Sequence, residues 1–334
     1  MWTVILIISL LKVIDAANGL DAFHQKYKLL NDGNVIPALA FGTWANTSDL
    51  HKVIPSVIYA IEVGYRNLDT AHLYGNEHLI GEALSIVFER GLVRREDIFI
   101  TTKLDVSVPS REMVIPSLQK NLWRLKLDYV DLFLIHTPYN TFNYPNYDIL
   151  DIWRGMEDAK KLGLTKSIGI SNFNSTHVNR ILKYGKIRPA VNEIEVNPTR
   201  TQLDLVAYTQ SQGITVMSYA PFGYLVPRMS NEFVPPTFGD PTLVKIARKY
   251  GKDTSQVVLR YLMDRDTIPI PRSHNPLHIS TNADLFDFSI TQEEVYAINE
   301  FNKNLPAYGS GEGFTRLIRQ AYNALLQTMA LLYK

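Results

Sequence analysis

Beyond residue 20 the chain alternates between two periods. Short runs of β-branched and aromatic residues are each followed by a longer stretch in which apolar positions recur at helical spacing. Residues 39–41, 65–69, 98–103, 129–136, 167–171, 191–195, 215–219 and 267–270 read as strands. One helical stretch follows each of them: 48–63, 76–90, 109–125, 147–162, 176–184, 202–212, 255–264 and 275–285. This alternation predicts an α/β fold, a (β/α)8 TIM barrel, rather than an open sheet. Ahead of the first barrel strand, residues 27–30 and 35–37 flank Asn31-Asp32-Gly33-Asn34. Asp-Gly favours a tight turn, so this reads as an N-terminal β-hairpin closing the barrel floor. Residues 222–241 form a long connection rich in Pro and Gly, a plausible lid over the open end.

The two ends differ from the middle. Trp2 to Leu11 are apolar except for Thr3 and Ser9, and Lys12, Asp15, Ala16 and Ala17 follow. That run is shorter than the roughly 20 residues of a membrane span. It reads as a signal peptide over 1–17, cut near Ala17, although it lacks a positive n-region. The expected localisation is then secreted or in the secretory pathway, with a cytoplasmic protein carrying an N-terminal extension as the alternative. Asn46-Thr47-Ser48 and Asn174-Ser175-Thr176 are sequons available on that route. The barrel is assigned to 18–312. Residues 313–334 form a C-terminal helical tail with Phe314, Leu317, Ile318, Ala321, Leu325 and Met329 on one face. Packing on the barrel is the simplest use of that face; a dimer contact or membrane-surface contact is the alternative.

Composition narrows the function. The 334 residues carry 34 Lys+Arg against 33 Asp+Glu, a net charge of +1, which gives no reason to expect nucleic acid or an anionic membrane as partner. Cysteine is absent, which excludes disulfides, thiolate metal sites and a cysteine nucleophile. No metal site is predicted, and the protein is expected to be a monomer. Enzymes on parallel barrels work at the C-terminal ends of the strands. The polar residues at those ends are Asp69, Lys103, His136, Ser171, Asn172, Glu193, Glu195, Tyr219, Arg272 and Ser273. They are scattered in sequence, yet the fold would gather them at one mouth.

Residues 64–77 read GYRNLDTAHLYGNE and resemble the signature of the aldo-keto reductase family. The resemblance continues through Ile100-Thr101-Thr102-Lys103-Leu104, Asp131-Leu132-Phe133-Leu134-Ile135-His136 and Gly169-Ile170-Ser171-Asn172-Phe173. It extends to 192–198, 219–223 and Ile270-Pro271-Arg272-Ser273. It implies NADPH-dependent reduction of a ketone or aldehyde, with Asp69, Tyr74, Lys103 and His136 as the catalytic set. The chemistry agrees. Hydride addition to a carbonyl leaves an alkoxide that needs a proton. A tyrosine, with a pKa near ~10, is a weak acid at neutral pH, and an adjacent ammonium such as Lys103 is expected to lower that pKa. Asp69 would hold Lys103, and His136 would orient the substrate oxygen.

The resemblance also implies cofactor contacts at Gly42, Thr43, Ser171, Asn172, Glu193, Tyr219, Arg272, Ser273, His278 and Asn282. Tyr219 would stack on the nicotinamide, Ser171 and Asn172 would bind its carboxamide, and Arg272 would grip a 2′-phosphate. There is no G-x-G-x-x-G, so a Rossmann site is not indicated. Plainer readings stay open for each: a structural ion pair for Asp69 and Lys103, a wall residue for Tyr74, a satisfied buried histidine for His136. Tyr219 could be a core aromatic, Asn172 a helix cap, and Arg272 a solvated arginine.

Four departures from the family pattern matter. Glu193 stands where glutamine is usual, and an ionised carboxylate offers acceptors but no donor. His278 replaces a second arginine, so the preference for NADPH over NADH is expected to be modest. Thr137 replaces a common tryptophan, and a helical tail replaces the usual C-terminal loop. Trp44, Tyr139, Phe142, Tyr144 and Phe222 are expected around the mouth, with Trp44, His136, Tyr139 and Phe222 touching substrate. Such an apolar wall suits a steroid or long-chain carbonyl. The leader with this barrel resembles the secreted 3-dehydroecdysteroid reductases of the family. A broad aldehyde or isoprenoid-carbonyl reductase and a catalytically silent cofactor-binding barrel are the alternatives.

Overall fold

The computed structural model describes residues 26–227, 236–308 and 311–332. The leader, the middle of the expected lid and the last two residues lie outside that range. The chain begins with the hairpin: β1 (Tyr27–Leu29) and β2 (Val35–Pro37) pair antiparallel, Leu29 opposite Val35. Gly33 in the turn takes a φ of 85°, the left-handed region that glycine adopts without a Cβ clash. Asn31 donates to the carbonyls of Pro189 and Gly213, at 2.8 and 2.9 Å, just ahead of two later strands. Leu30 and Ile36 join Phe99, Leu132, Val191, Met217 and Ile268 in one buried cluster, so the hairpin plugs the floor as expected.

Eight parallel strands then run in chain order: β3 (Phe41–Gly42), β4 (Asn67–Asp69), β5 (Phe99–Lys103), β6 (Val130–Ile135), β7 (Thr165–Ser171), β8 (Val191–Glu195), β9 (Thr215–Tyr219) and β10 (Thr267–Pro269). The amides of Ala40 and Gly42 donate to the carbonyls of Pro269 and Pro271, at 3.1 and 2.9 Å. These bonds lay the first strand against the last. The fit at Gly42 is close: a Cβ there would meet Ile270 Cγ2 at 3.2 Å, and that side chain would have to give by a few tenths of an ångström.

The helices between and after the strands are α1 (Val53–Glu62), α2 (Glu77–Glu89), α3 (Val114–Leu125), α4 (Ile149–Lys161), α5 (Ser175–Tyr184), α6 (Leu203–Ser211), α7 (Pro241–Tyr250), α8 (Thr254–Asp264), α9 (Pro276–Ala283) and α10 (Gln292–Asn299). Several starts follow side-chain caps: Asp148 accepts from Leu150, Asn174 from His177, and Thr291 with Glu294 closes a capping box. Two expected helices open as 3-10 turns, at Thr47–Lys52 and Arg111–Met113. Helices α7 and α10 were not anticipated. No helix among the described residues is long and apolar enough to cross a membrane.

The tail is one helix, α11 (Gly311–Leu332), beginning two residues before the expected boundary. It lies across three consecutive loops at the mouth. Arg319 donates from Nε to the Thr141 carbonyl and from Nη2 to Asn143 Oδ1 at 3.3 Å. The Tyr322 hydroxyl donates to Ser107 Oγ at 2.9 Å, and its ring packs edge-on against Phe142 at 5.0 Å. Leu325 closes on Gly75. The seam therefore differs from the expected face. Ile318 is buried, but Leu317 is 39% exposed and Ala321 is exposed too, because the helix is fixed by polar contacts as well as apolar ones. The side chain of Met329 lies outside the described residues.

Candidate active site

Asp69 ends β4, Lys103 ends β5, and His136 follows β6, so the barrel brings all three to one mouth. The Lys103 ammonium donates to both Asp69 oxygens, at 2.8 and 2.7 Å, to the Thr70 carbonyl at 3.2 Å, and to the Tyr74 hydroxyl at 3.2 Å. It also pairs with Glu193 Oε1 at 3.1 Å. Tyr74 ends a 3-10 turn (His72–Tyr74), and its ring meets the His136 ring edge-on at 6.0 Å. All four expected catalytic residues thus converge, and Glu193 joins them.

Charge and burial set the protonation states. Burial pushes the Tyr74 phenol upward, more than Lys103 pulls it down. That corrects the expectation of a lowered value: in a dry site, losing water outweighs one ammonium shared with two carboxylates. Burial opposes the charge on Lys103, but Asp69 and Glu193 together hold its pKa well above the ordinary lysine value. Burial, with Lys103 and His72 adding to it, keeps His136 well below the usual histidine range, hence neutral. Glu193 is pushed up to about 8 by burial and by Asp69, against the pull of Lys103. An oxygen placed between Tyr74 and His136 would meet a proton donor and a neutral imidazole.

Beneath these groups lies a layer that sequence reasoning missed. His72 Nδ1 accepts from Arg124 Nη2 at 2.7 Å, and its other nitrogen faces Asp105 at 3.2 Å. Arg124 donates to Glu77 Oε2 at 2.8 Å, and Thr102 donates to Glu77 Oε1 at 2.6 Å. Asn76 donates to the Thr43 carbonyl at 2.7 Å, and Asn121 to the Lys103 carbonyl at 3.0 Å. These bonds fix the turn that carries Tyr74 from both sides. His72, Asn76 and Glu77 fall inside the 64–77 motif and were findable there; Asn121 and Arg124 carried no signal of their own.

The expected cofactor residues divide into two groups. At the mouth, the Tyr219 hydroxyl donates to Asn172 Oδ1 at 2.8 Å, and Ser171 Oγ donates to the Glu193 carbonyl at 2.9 Å. Asn172 takes a φ of 64°, and its amide nitrogen donates to the His136 carbonyl at 2.9 Å. Glu193 Oε2 is buried without a hydrogen-bond partner. Beyond β10, Arg272 donates to the Trp44 carbonyl at 3.0 Å with its guanidinium 5.1 Å from the Trp44 ring. Ser273 Oγ accepts from the Asn275 amide at 3.0 Å, and Thr43 Oγ1 donates to the Asp69 carbonyl at 2.9 Å. His278 and Asn282 sit on α9, the first exposed and the second buried. The histidine that touches Arg272 is His274, at 3.5 Å.

The expected substrate wall is only partly at the opening. Trp44 is 39% exposed. Tyr139 lines a small cavity with His136, Thr137, Leu104, Val108 and Tyr147. Phe142 lies against Tyr322 of the tail and 6.0 Å from Tyr144, while Phe222 packs on Phe238 at 5.3 Å in the outer layer.

Residues 38–303 match the Aldo/keto reductase family. The chain belongs to the aldo-keto reductase family. It is 50% identical over 282 residues to aldo-keto reductase AKR2E4 of Bombyx mori, covering 82% of this chain and 92% of that protein. It is 38% identical to prostaglandin F synthase 1 of Bos taurus, over 88% of this chain and 96% of that one. The crystal structure of Bombyx mori AKR2E4 in complex with NADP superposes with a TM-score of 0.84 at 48% identity, covering 87% of this chain and 97% of that chain. That of silkworm AKR2E5 complexed with NADPH gives 0.83 at 39% identity, over 86% and 90%. This aldo-keto reductase is accordingly an NADP-dependent oxidoreductase of small-molecule carbonyls, on the (β/α)8 fold expected from the sequence.

Proposed function

We propose that this aldo-keto reductase reduces a ketone on an apolar, steroid-like substrate such as 3-dehydroecdysone, with Tyr74 as the proton donor. The observation that carries the reading is the buried contact between Lys103 and the Tyr74 hydroxyl at 3.2 Å, with Asp69 bonded to the same ammonium and His136 facing the tyrosine ring. NADPH supplies the hydride. Tyr74 gives its proton to the oxygen left behind, and Lys103 stabilises the resulting phenolate. His136, neutral and fixed at the end of β6, orients the carbonyl oxygen.

The chain has groups suited to each part of the cofactor. The unpartnered Glu193 Oε2 can accept from the carboxamide NH2, beside Ser171 and Asn172. Tyr219 offers a ring face to the nicotinamide, and Gly42 leaves room for close approach. Arg272 and Ser273 suit the 2′-phosphate, with His278 and Asn282 around the adenosine end and Thr43 beside Asp69 at the mouth. With an exposed histidine as the second basic group, discrimination against NADH is modest.

An apolar substrate is favoured by the exposed ring of Trp44 and by Tyr139, which lines the cavity beside Thr137. Prostaglandin F synthase 1 is a relative named for a lipid-class product, in keeping with that reading. The leader adds a secretory route, with residues 1–17 removed, and the enzyme acts as a monomer. The test is NADPH consumption by the purified enzyme against 3-dehydroecdysone, other ketosteroids, isoprenoid carbonyls and simple aldehydes. Clear preference for the steroids supports the proposal. Equal kcat/KM for short aldehydes favours the broad-specificity alternative, and no turnover of any carbonyl favours a silent barrel.

A further inference from the structure

Lys103 has two counter-ions. Its ammonium lies 2.7 Å from Asp69 and 3.1 Å from Glu193, and the three side chains are 4% exposed or less. Two carboxylates against one ammonium leave a negative charge in excess where water cannot reach it. The chain resolves the excess by retaining a proton, which is why Glu193 rises to about 8. Of the charged neighbours Lys103 pulls the other way, and burial together with Asp69 outweighs it. Asp69 faces Glu193 from β4, Tyr74 from the turn after it, Lys103 from β5 and Tyr219 from β9. Neutral His136 stands at the end of β6, and β7 contributes uncharged Ser171 at this level. Glu195, further along β8, is occupied by Asn197 and the Ala307 amide.

We propose that Glu193 is a positioning residue for the proton donor: a second carboxylate on Lys103 whose charge state sets how readily Tyr74 releases its proton. This rests on Tyr74 being the donor. With Glu193 protonated, Lys103 answers to Asp69 alone and can stabilise a phenolate 3.2 Å away. With Glu193 ionised, a second negative charge draws on the same ammonium and repels the phenolate. Carbonyl reduction therefore slows as pH rises through the Glu193 titration. The same charge distinguishes the two cofactor forms. The nicotinamide ring is neutral in NADPH and positive in NADP+, so ionised Glu193 favours NADP+.

Cofactor affinity tests the charge directly, without turnover. Dissociation constants of NADP+ and NADPH are measured by fluorescence quenching from about pH 6 to about pH 9, bracketing the titration. Both forms carry the same phosphates, so the ratio cancels their titration and that of any histidine beside them. In the wild type, NADP+ should gain on NADPH by about tenfold or more across that range, as expected for one charge at close range. In Glu193→Gln the ratio should be flat. A flat wild-type ratio, or the same rise in the glutamine variant, overturns the proposal. Should Glu193→Gln fold poorly, Asp69→Asn gives the same decision. With one competing carboxylate gone, the rise should move to lower pH, and an unmoved rise counts against the proposal. The kcat profile adds the link to Tyr74: the alkaline fall seen in the wild type should shift upward in Glu193→Gln, and superimposable profiles overturn that link. A Tyr74→Phe enzyme that still turns over would remove the proton-donor reading, while the affinity ratio would still decide whether Glu193 carries the charge.

Discussion

Replacing Tyr74 by phenylalanine separates chemistry from architecture, because the structure predicts a large loss in one and little in the other. The hydroxyl takes one bond, from Lys103 at 3.2 Å, and Lys103 keeps its bonds to Asp69 and Thr70 without it. The ring is retained, and so is its edge contact with His136. Deleting one neutral hydrogen-bonding group costs about 1 kcal/mol of stability. In a barrel this size that lowers Tm by roughly 2–4 °C at most. Losing a general acid costs about 100-fold to 10,000-fold in rate, equivalent to about 3–5 kcal/mol of barrier. Cofactor affinity should barely change, since the ring proposed to meet the nicotinamide is that of Tyr219. The assay is steady-state NADPH oxidation beside thermal unfolding and fluorescence titration of NADPH. A Tyr74→Phe enzyme within tenfold of wild-type kcat refutes the mechanism. So does one whose lost activity is matched by a Tm fall of 10 °C or more, since the loss would then be structural.

Arg272→Ala should weaken NADPH by roughly 10- to 100-fold and NADH hardly at all, in line with a charged hydrogen bond to phosphate; equal weakening of both in a titration tells against the role. Glu193→Gln should change how stability depends on pH. The folded-state pKa of Glu193 lies above its unfolded value, so the stability it contributes is complete below the ordinary carboxylate range and is lost as pH rises toward about 8. Urea unfolding should thus show the variant gaining on wild type, by a few kcal/mol, as pH climbs from about 5 to about 8; parallel curves would contradict it. Gly75→Ala puts a Cβ at a φ of 69° and 2.7 Å from Leu325 Cδ1. Limited proteolysis should cut α11 several-fold faster in that variant, and unchanged cleavage would mean that the helix does not depend on this contact.

Legibility tracked how local the physics is. Strands β8 and β9 fell where the pattern put them, because buried five-residue runs bounded by polar loops leave little choice. Of the anticipated helices, those whose start carries a capping side chain, as at Asn174 and Asp253, fell within a residue or two of their expected bounds. Helix α7 was hidden behind the Pro- and Gly-rich connection, and α10 is a short, mostly polar helix whose main signal, the Thr291–Glu294 box, was not read. Asp69, Lys103 and His136 were legible because each ends or follows a strand, whereas Tyr74, in a turn past β4, was legible only through the 64–77 motif. The pairing of Glu193 with Lys103 was not, since it depends on two strands facing each other across the barrel. For the same reason the competition between burial and charge at Tyr74 resolved opposite to expectation. The tail showed its helical period but not its seam, which is decided by the loops it lands on at Thr141, Ser107 and Gly75.

The join between β3 and β10 has a consequence for the life of the protein. At that join the acceptors are the carbonyls of Pro269 and Pro271, and neither proline has an N–H to return. Two strands are held there by traffic in one direction, so this is where the ring should breathe. Amide hydrogens at Ala40 and Gly42 are the natural reporters of that opening, by exchange with deuterated water. Gly42 and Thr43 lie on one side of the join, Arg272 and Ser273 on the other. On the placement proposed above, NADPH grips both sides and acts as a clasp, and its binding energy adds to the barrel's own stability. Occupancy and durability then become one quantity: an enzyme starved of NADPH would exchange faster at Ala40 and Gly42, unfold at lower temperature, and be degraded sooner than one kept supplied.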